Sequence, residues 1–144
     1  MSKVNIIYWS GTGNTEAMAA YIEEGVKSAG SDAVLLPVGA ASVDDLKDAK
    51  AFALGCPSMG AEQLEETEME PFMCELERQI SGKQIVLFGS YGWGNQEWMR
   101  DWEERIQMAG ASVINGEGIA VNGAPGEDVA DQCRDAGRTL AGLA

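Results

Sequence analysis

The sequence has no histidine and few basic residues. Its 144 residues include 10 Lys or Arg against 23 Asp or Glu, which gives a net charge of −13. Such a chain repels nucleic acids and anionic membrane surfaces, so we expect neither as a partner. The lack of histidine, with only three widely spaced cysteines, excludes the common zinc-binding spacings and argues against a disulfide framework. We therefore expect no metal site.

Long apolar stretches are also missing. No uninterrupted apolar run approaches the roughly 18 to 20 residues that span a membrane. The chain enters a strand-like run directly after its first residues, which is too early for a signal peptide. We therefore expect a cytoplasmic protein without a membrane segment. The length is that of one domain, so we predict a single domain over residues 1–144.

Short apolar segments alternate with amphipathic or acidic ones. Strand-like runs occur at about 3–8, 33–38, 50–55, 84–89 and 112–121. Helical periodicity is clearest at 15–29, 96–109 and 127–143, and is weaker at 43–48 and at 66–80, where we expect a helix after Pro71. With right-handed crossovers, this alternation predicts an α/β fold with a doubly wound, five-stranded parallel sheet. Asn115 to Gly118 predict a bend or bulge in the fifth strand.

The loop after the first strand is rich in hydroxyl groups and glycine, and a helix-patterned segment follows it. The first N–H groups of a helix have no partner within it and lie at the positive end of its dipole, so they bind anions. An ordinary helix start capped by Ser or Thr would have a similar composition, and that alternative stays open. The candidate phosphate ligands are Ser10, Gly11, Thr12, Gly13, Asn14 and Thr15.

No lysine or arginine occurs from Val4 to Gly25. A nucleoside triphosphatase loop needs a Gly-Lys-Ser/Thr sequence, so that class is excluded. A dinucleotide site would need a third glycine and an acidic ribose partner, and both are missing. The remaining ligand is the terminal phosphate of a mononucleotide.

Two further loops each place a large polarizable side chain beside glycine. Met59 precedes Gly60 in the loop after the third strand, and Trp93 lies between two glycines after the fourth. Because the carboxyl ends of parallel strands meet at one edge of a sheet, these two side chains could enclose a flat ring. The alternative is a core methionine and a tryptophan that shields the core from solvent.

Together these loops closely resemble those of the short-chain flavodoxins of anaerobic bacteria. The matching segments are 8–16, 55–62, 70–72, 87–94 and 98–101, within a resemblance that extends from about Val4 to Leu143. The resemblance implies the strand order 2-1-3-4-5, with non-covalently bound FMN at the point where the order reverses.

The resemblance also implies a role for each loop. The first loop would bind the FMN phosphate, Met59 and Trp93 would cover the two faces of the flavin ring, and Glu62 would accept from N3–H. Backbone N–H groups of the Ser90–Gly94 loop would contact the N1/O2 edge. The implied FMN-binding residues outside the first loop are Ser58, Met59, Gly60, Ala61, Glu62, Ser90, Tyr91, Gly92, Trp93, Gly94 and Asn122.

At two positions near the expected flavin, the family pattern is matched only weakly or not at all. Asn122 matches a position near the ribityl chain, although a plain Asn-Gly turn with Gly123 explains it nearly as well. Pro57 stands where some relatives have a serine that donates to the phosphate, so we expect the first loop to contribute more of the binding here.

The implied function is that of a low-potential one-electron carrier, not an enzyme, in which FMN cycles between semiquinone and hydroquinone in place of ferredoxin. Its partners would be redox enzymes with basic docking surfaces, such as ferredoxin or flavodoxin reductases and oxidoreductases, and we expect a monomer.

Gly60 would act as a hinge that lets the Gly60–Ala61 peptide point its carbonyl at N5. Ala61 is shorter than the residue that family members often have there.

An acidic run beside the expected flavin is a second feature of this site. It either opposes reduction of the flavin and steers basic partners, or is only a solvated face. Its members are Glu62, Glu65, Glu66, Glu68 and Glu70.

Two other classes of protein share the predicted fold but need different residues in these loops. A flavin-dependent NAD(P)H:quinone reductase of the same fold needs an open ring face, whereas Met59 and Trp93 are expected to close both. A signalling receiver domain needs acidic residues after the first strand and a phosphoacceptor Asp after the third, but Trp9-Ser10 and Cys56-Pro57 stand there. Trp9, Trp98 and Trp102 are predicted to be core residues.

Overall fold

The computed structural model describes residues 3–143. Within this range, helices and strands alternate as the hydrophobic pattern predicts. The strands are β1 (Lys3–Tyr8), β2 (Asp32–Pro37), β3 (Ala51–Gly55), β4 (Gln84–Tyr91), β5 (Ser112–Val113) and β6 (Ile119–Asn122). The helices are α1 (Asn14–Ser28), α2 (Met69–Leu76), α3 (Glu97–Met108) and α4 (Glu127–Leu143).

The strands form one parallel sheet in the order β2-β1-β3-β4-β5. This confirms the predicted α/β architecture and strand order. The fifth position of the sheet is divided, because β5 pairs with the first residues of β4 and β6 with the last ones. A short 3₁₀ turn separates the two, and Asn115 within it has a φ of 68°. The predicted interruption is therefore a complete break, which adds a sixth strand.

The helix boundaries agree with the sequence pattern to within one or two residues, except around Pro71. Helix α2 begins at Met69, so Pro71 lies inside the helix instead of before it. Proline is tolerated there because the first N–H groups of a helix have no intrahelical acceptor. The weak pattern at 43–48 corresponds to a 3₁₀ turn at Val43–Leu46.

Apolar side chains cover both faces of the sheet. Ile7 and Phe52 face the layer of α2 and α3, whereas Ile6 and Phe88 face the layer of α1 and α4. Trp98 and Trp102 are each only 1% exposed, which confirms them as core residues. Trp9 is only half-buried and packs against the edge of this core. The prediction that it is a core residue is therefore correct only in part.

The sheet order determines where a ligand would bind. From β1 the chain first moves to β2 on one side and then to β3 on the other, so the order reverses beside β1. The loops after β1, β3, β4 and β6 all lie at the carboxyl edge of the sheet, where parallel sheets form ligand clefts. No helix in residues 3–143 is long and apolar enough to cross a membrane.

Candidate functional site

A cavity of about 270 Å³ lies at this edge, between the loops after β1, β3 and β4. It brings together eight residues predicted from the sequence and three others. The predicted residues are Gly11, Thr12, Asn14, Ser58, Met59, Ser90, Tyr91 and Gly92, and the others are Trp9, Pro57 and Gly123. A more polar cleft of about 640 Å³ lies beside the first loop, and Ser10 and Gly13 line it together with Gly11 and Thr12.

Backbone N–H groups of the first loop are left without partners. The Ser10 hydroxyl oxygen accepts from the N–H of Gly13 at 3.1 Å and of Glu16 at 3.3 Å, which curls the loop over the start of α1. Among residues 3–143, no group accepts from the N–H of Gly11, Thr12, Asn14 or Thr15. A row of unpaired donors at a helix start fits an anionic group such as a phosphate.

Thr15 connects the first loop to β4. Its side chain is buried, its hydroxyl oxygen lies 3.2 Å from that of Ser90, and it also accepts from the Ser90 N–H at 3.4 Å. Since a hydroxyl has one proton to donate, Thr15 can give it either to Ser90 or to a ligand. The predicted phosphate ligand is thus also a structural link between two of the site loops.

Met59 lies in a tight hairpin. Its N–H donates to the Gln63 carbonyl at 2.8 Å, and its carbonyl accepts from the Gln63 N–H at 3.0 Å. Gly60 and Ala61 form the exposed tip between them, and Gly60 has a φ of 52°. Since L-residues rarely adopt this conformation, glycine is the residue that this tip favours.

Glu62 connects the hairpin to α3. Its Oε1 atom accepts from the N–H of Glu97, the first residue of that helix, at 2.8 Å. The contact is close enough that a Cβ atom at Gly94 would lie 2.5 Å from the carboxyl carbon of Glu62. The predicted acceptor for the ring N3–H therefore also caps α3 and joins two of the site loops.

Trp93 does not line the cavity in this structure. It is 64% exposed on its loop, and the aromatic side chains at the cavity are those of Trp9 and Tyr91. Tyr91 packs against Trp98 with ring centroids 5.6 Å apart. Asn122 is also exposed, and the N–H of Gly123 beside it donates to the Tyr91 carbonyl at 2.9 Å. The pairing of Met59 with Trp93 over a ring thus remains a prediction.

The acidic run differs from the expected open rim. Glu65 is buried, and its carboxylate accepts from the N–H groups of Thr67, Glu68 and Met69 at 2.8 to 3.0 Å and from the Thr67 hydroxyl. Burial opposes ionisation of Glu65, but these hydrogen bonds outweigh it and hold its pKa below the usual value. Glu65 therefore supports the start of α2 and is not part of the rim.

Two other members of the run have partners. Arg105 donates to the two carboxylate oxygens of Glu70 at 2.8 and 2.7 Å, which lowers the pKa of Glu70. Glu68 accepts from the indole N–H of Trp9 at 3.1 Å. These contacts join residues far apart in the sequence, so the charge pattern alone could not reveal them.

Cys56 is an inert part of the scaffold below the cavity. It is fully buried, its carbonyl accepts from the Trp98 indole N–H at 3.0 Å, and its sulfur accepts from the Glu65 N–H at 3.3 Å. Burial raises the pKa of its thiol to about 12, so the nucleophilic thiolate is absent at neutral pH.

The fold and the cleft define an open α/β protein with an anion cradle at its topological switch point. Comparison with known proteins gives the family. A family model described as flavodoxin matches residues 6–137. The chain belongs to the flavodoxin family, whose members are electron-transfer proteins that use a flavin and act with redox partners.

Individual relatives are similar over nearly their whole length. A flavodoxin of Megasphaera elsdenii is 48% identical over 138 residues, which cover 96% of this chain and 98% of the relative. One of Clostridium beijerinckii is 44% identical over 97% of this chain and 100% of the relative. The solution structure of two-electron reduced M. elsdenii flavodoxin superimposes with a TM-score of 0.86 at 45% identity, covering 96% of this chain and 98% of that one.

Replacing Glu65 with glutamine tests its structural role. Because the pKa of Glu65 is lowered in the folded protein from its ordinary value of 4.5, the ionised carboxylate stabilises the fold above that pH, and this contribution is lost as the pH falls through the lower, folded-state pKa. We expect Glu65→Gln to lower the free energy of unfolding by about 1 to 2 kcal/mol at pH 7. The difference from the original protein should narrow below about pH 4.5.

Urea denaturation at several pH values measures this effect. Glu66→Gln is the matched control, because Glu66 is exposed and makes no side-chain hydrogen bond or ion pair with the other residues of 3–143. Equal losses for the two variants at pH 7 would contradict the role assigned to Glu65.

Proposed function

We propose that the chain forms one FMN-binding domain and acts as a low-potential one-electron carrier. The main support is the row of unpaired N–H groups at the start of α1, at the edge of a cavity that Met59 and Tyr91 also line. FMN, when bound, supplies the one-electron chemistry, and the protein supplies binding, orientation and electrostatics.

The first loop fits the phosphate of FMN. The N–H groups of Gly11, Thr12, Asn14 and Thr15 are free to donate, and the Thr12 side chain adds a hydroxyl at the cavity. Pro57 lines the same cavity without a donor of its own, which agrees with a phosphate held mainly by the first loop.

Within residues 3–143, the site places no Lys or Arg side chain beside this phosphate. Neither Lys nor Arg lines the cavity or the neighbouring polar cleft, whereas Glu16 and Glu68 line the cleft. An uncompensated phosphate and nearby carboxylates oppose the addition of further negative charge to a bound flavin. This arrangement favours a low reduction potential, so the reduced protein would be a strong electron donor.

The residues around the cavity favour a carrier over an enzyme. Within residues 3–143, no Asp, Glu, Lys or Arg lines the cavity, so Tyr91 is the only side chain there that could act in general acid–base catalysis. We therefore do not favour an NAD(P)H:quinone reductase.

The net charge of −13 supports a monomer whose redox partners have basic docking surfaces. The three free cysteines fit a reducing compartment, the cytoplasm.

Reconstitution with FMN tests this function. We expect the purified apoprotein to bind one FMN, quench its fluorescence and shift its visible spectrum, and a stepwise reductive titration to resolve two one-electron steps. Failure to take up FMN would refute the proposal. Rapid oxidation of NAD(P)H with a quinone by the isolated holoprotein would instead favour the reductase.

A substitution at Gly60 tests the proposed hinge. Threonine resists a φ of 52°, so Gly60→Thr should restrict the peptide between Gly60 and Ala61 and weaken the hydrogen bond that the Gly60 carbonyl can offer to reduced flavin. Loss of about 1 kcal/mol corresponds to a fall of roughly 40 mV in the potential of the first one-electron step.

The control is Gly82→Thr, in the turn before β4. Gly82 has a φ of 84° and, like Gly60, open space around the position of a Cβ atom, so the backbone strain is comparable but remote from the cavity. It should leave the potential unchanged. If the Gly60 variant also left the potential unchanged, the hinge would be excluded.

A further inference from the structure

A second surface feature lies outside the flavin site, between α2 and α3. It is an open groove of about 450 Å³, which we call the α3 groove. Its lining combines Met108 and Ala109, at the end of α3, with acidic side chains. The groove is lined by Glu77, Asp101, Glu104, Arg105, Met108 and Ala109.

One of the residues that line the groove is apolar and highly exposed. Met108 is 81% exposed, and within residues 3–143 the only other large apolar side chain classed as exposed is Trp93. A single exposed apolar side chain is common on a soluble protein, but Met108 lines a groove together with Ala109 and several carboxylates, so it is part of a shaped surface. Methionine is particularly suited to binding a partner there because its flexible, polarizable side chain adapts to different surfaces.

The exposed groove residues of α3 lie along one face of that helix. Glu97, Asp101, Glu104 and Met108 follow one another at intervals of four, three and four residues, which places them on the same side of the helix. At 1.5 Å per residue, Met108 lies roughly 16 Å along the helix from Glu97. The N–H of Glu97 donates to the Glu62 carboxylate, so the first turn of α3 is joined to the hairpin of Met59, and the groove lies farther along the same helix.

The groove is negatively charged, and this charge is available to pair with cations of another molecule. The only basic residue in its lining, Arg105, is neutralised by Glu70 and by Glu77, whose Oε2 atom lies 2.8 Å from the Arg105 Nε atom. Asp101 and Glu104 are exposed and have no hydrogen-bond or ion-pair partner for their side chains among residues 3–143. Their charges are therefore free to pair with cations from another molecule.

We propose that the α3 groove is a docking surface for a basic segment of a redox partner, with an apolar side chain of that segment packed against Met108 and Ala109. Lysine or arginine residues beside this apolar anchor would pair with Asp101 and Glu104. The proposal rests on the proposed function, because only an electron carrier needs a redox partner.

A second copy of the chain fits this groove poorly. A symmetric dimer would place the same patch on both sides of the interface, which brings Asp101 and Glu104 of one copy against the same residues of the other. Each copy has a net charge of −13, so the long-range interaction is also repulsive. Charge complementarity instead selects a basic partner.

The test uses FMN-loaded protein and, separately, apoprotein, titrated with a helical peptide of about 18 residues that has leucine on one face and lysine on the other. We expect saturable NMR shifts of the Met108 methyl group and of the amides of Asp101, Glu104 and Ala109. The methyl group of Met73, which is fully buried, should not shift. Shifts confined to other faces of the protein would overturn the proposal.

Matched variants separate local binding from overall charge. Asp101→Asn/Glu104→Gln and Asp32→Asn/Asp128→Asn each remove two negative charges, but exposed Asp32 lies on the edge strand β2, and exposed Asp128 lies on α4, which packs on the other face of the sheet from α3. We expect the first pair to raise the peptide Kd about fivefold and the second less than twofold. Equal effects of the two pairs would refute a docking surface at α3.

The apolar part of the groove is tested by Met108→Gln, which keeps the length and flexibility of the side chain. It should raise the Kd for the leucine-containing peptide about threefold and have no effect on a peptide in which serine replaces leucine. Equal binding of both peptides would contradict the apolar anchor. Concentration-dependent dimerisation through Met108 would also overturn the proposal, in favour of a second copy.

The two titrations keep this proposal distinct from the proposed function. Peptide shifts at Met108 in a protein that takes up no FMN would contradict the electron-carrier function and with it a redox partner in the groove. Normal FMN uptake without shifts at Met108 would contradict the groove alone.

Discussion

The unpaired N–H groups at the start of α1 are the constraint on which the site depends. The Ser10 hydroxyl holds the loop in a curve, but it satisfies only the N–H groups of Gly13 and Glu16. The other donors need an anion or water, because no protein acceptor in residues 3–143 reaches them. A phosphate would therefore bind to the backbone of the loop, with no cationic side chain to offset its charge.

This cradle is connected to the rest of the site by a few hydrogen bonds between loops. Thr15 contacts Ser90, Glu62 accepts from Glu97, and Cys56 contacts both Trp98 and Glu65. Loops that are already held together lose less conformational freedom when a ligand binds, which favours affinity. The Glu62 contact also joins the first turn of α3 to the site loops, and the α3 groove lies farther along that helix.

Local patterns in the sequence predicted most of the fold. The alternation of apolar strands with amphipathic segments gave the α/β architecture, and the Asn-Gly-Glu-Gly segment gave the interruption of the fifth strand. The same local reasoning misplaced the start of α2, because a proline inside the first turn and a proline before a helix look alike in a sequence. The strand order came from family resemblance, and it was also correct.

The site was predictable only where its residues are neighbours in the chain. Of the predicted residues outside the first loop, those that line the cavity are Ser58, Met59, Ser90, Tyr91 and Gly92, whereas Trp93 lies outside it. Trp9 was assigned to the core because nothing local shows that its indole reaches Glu68, 59 residues away. Glu65 was placed on an acidic rim for the same reason. Contacts distant in sequence decide which side chain of a polar run is buried.

The central claim is that backbone donors of the first loop bind a phosphate group. The most direct measurement compares the affinity of the apoprotein for FMN and for riboflavin, which has the same ring and ribityl chain but no phosphate. Each N–H bond to a charged oxygen contributes about 1.5 to 3 kcal/mol, so two such bonds predict that riboflavin binds at least about a hundredfold more weakly. Equal affinities for the two ligands would contradict the claim.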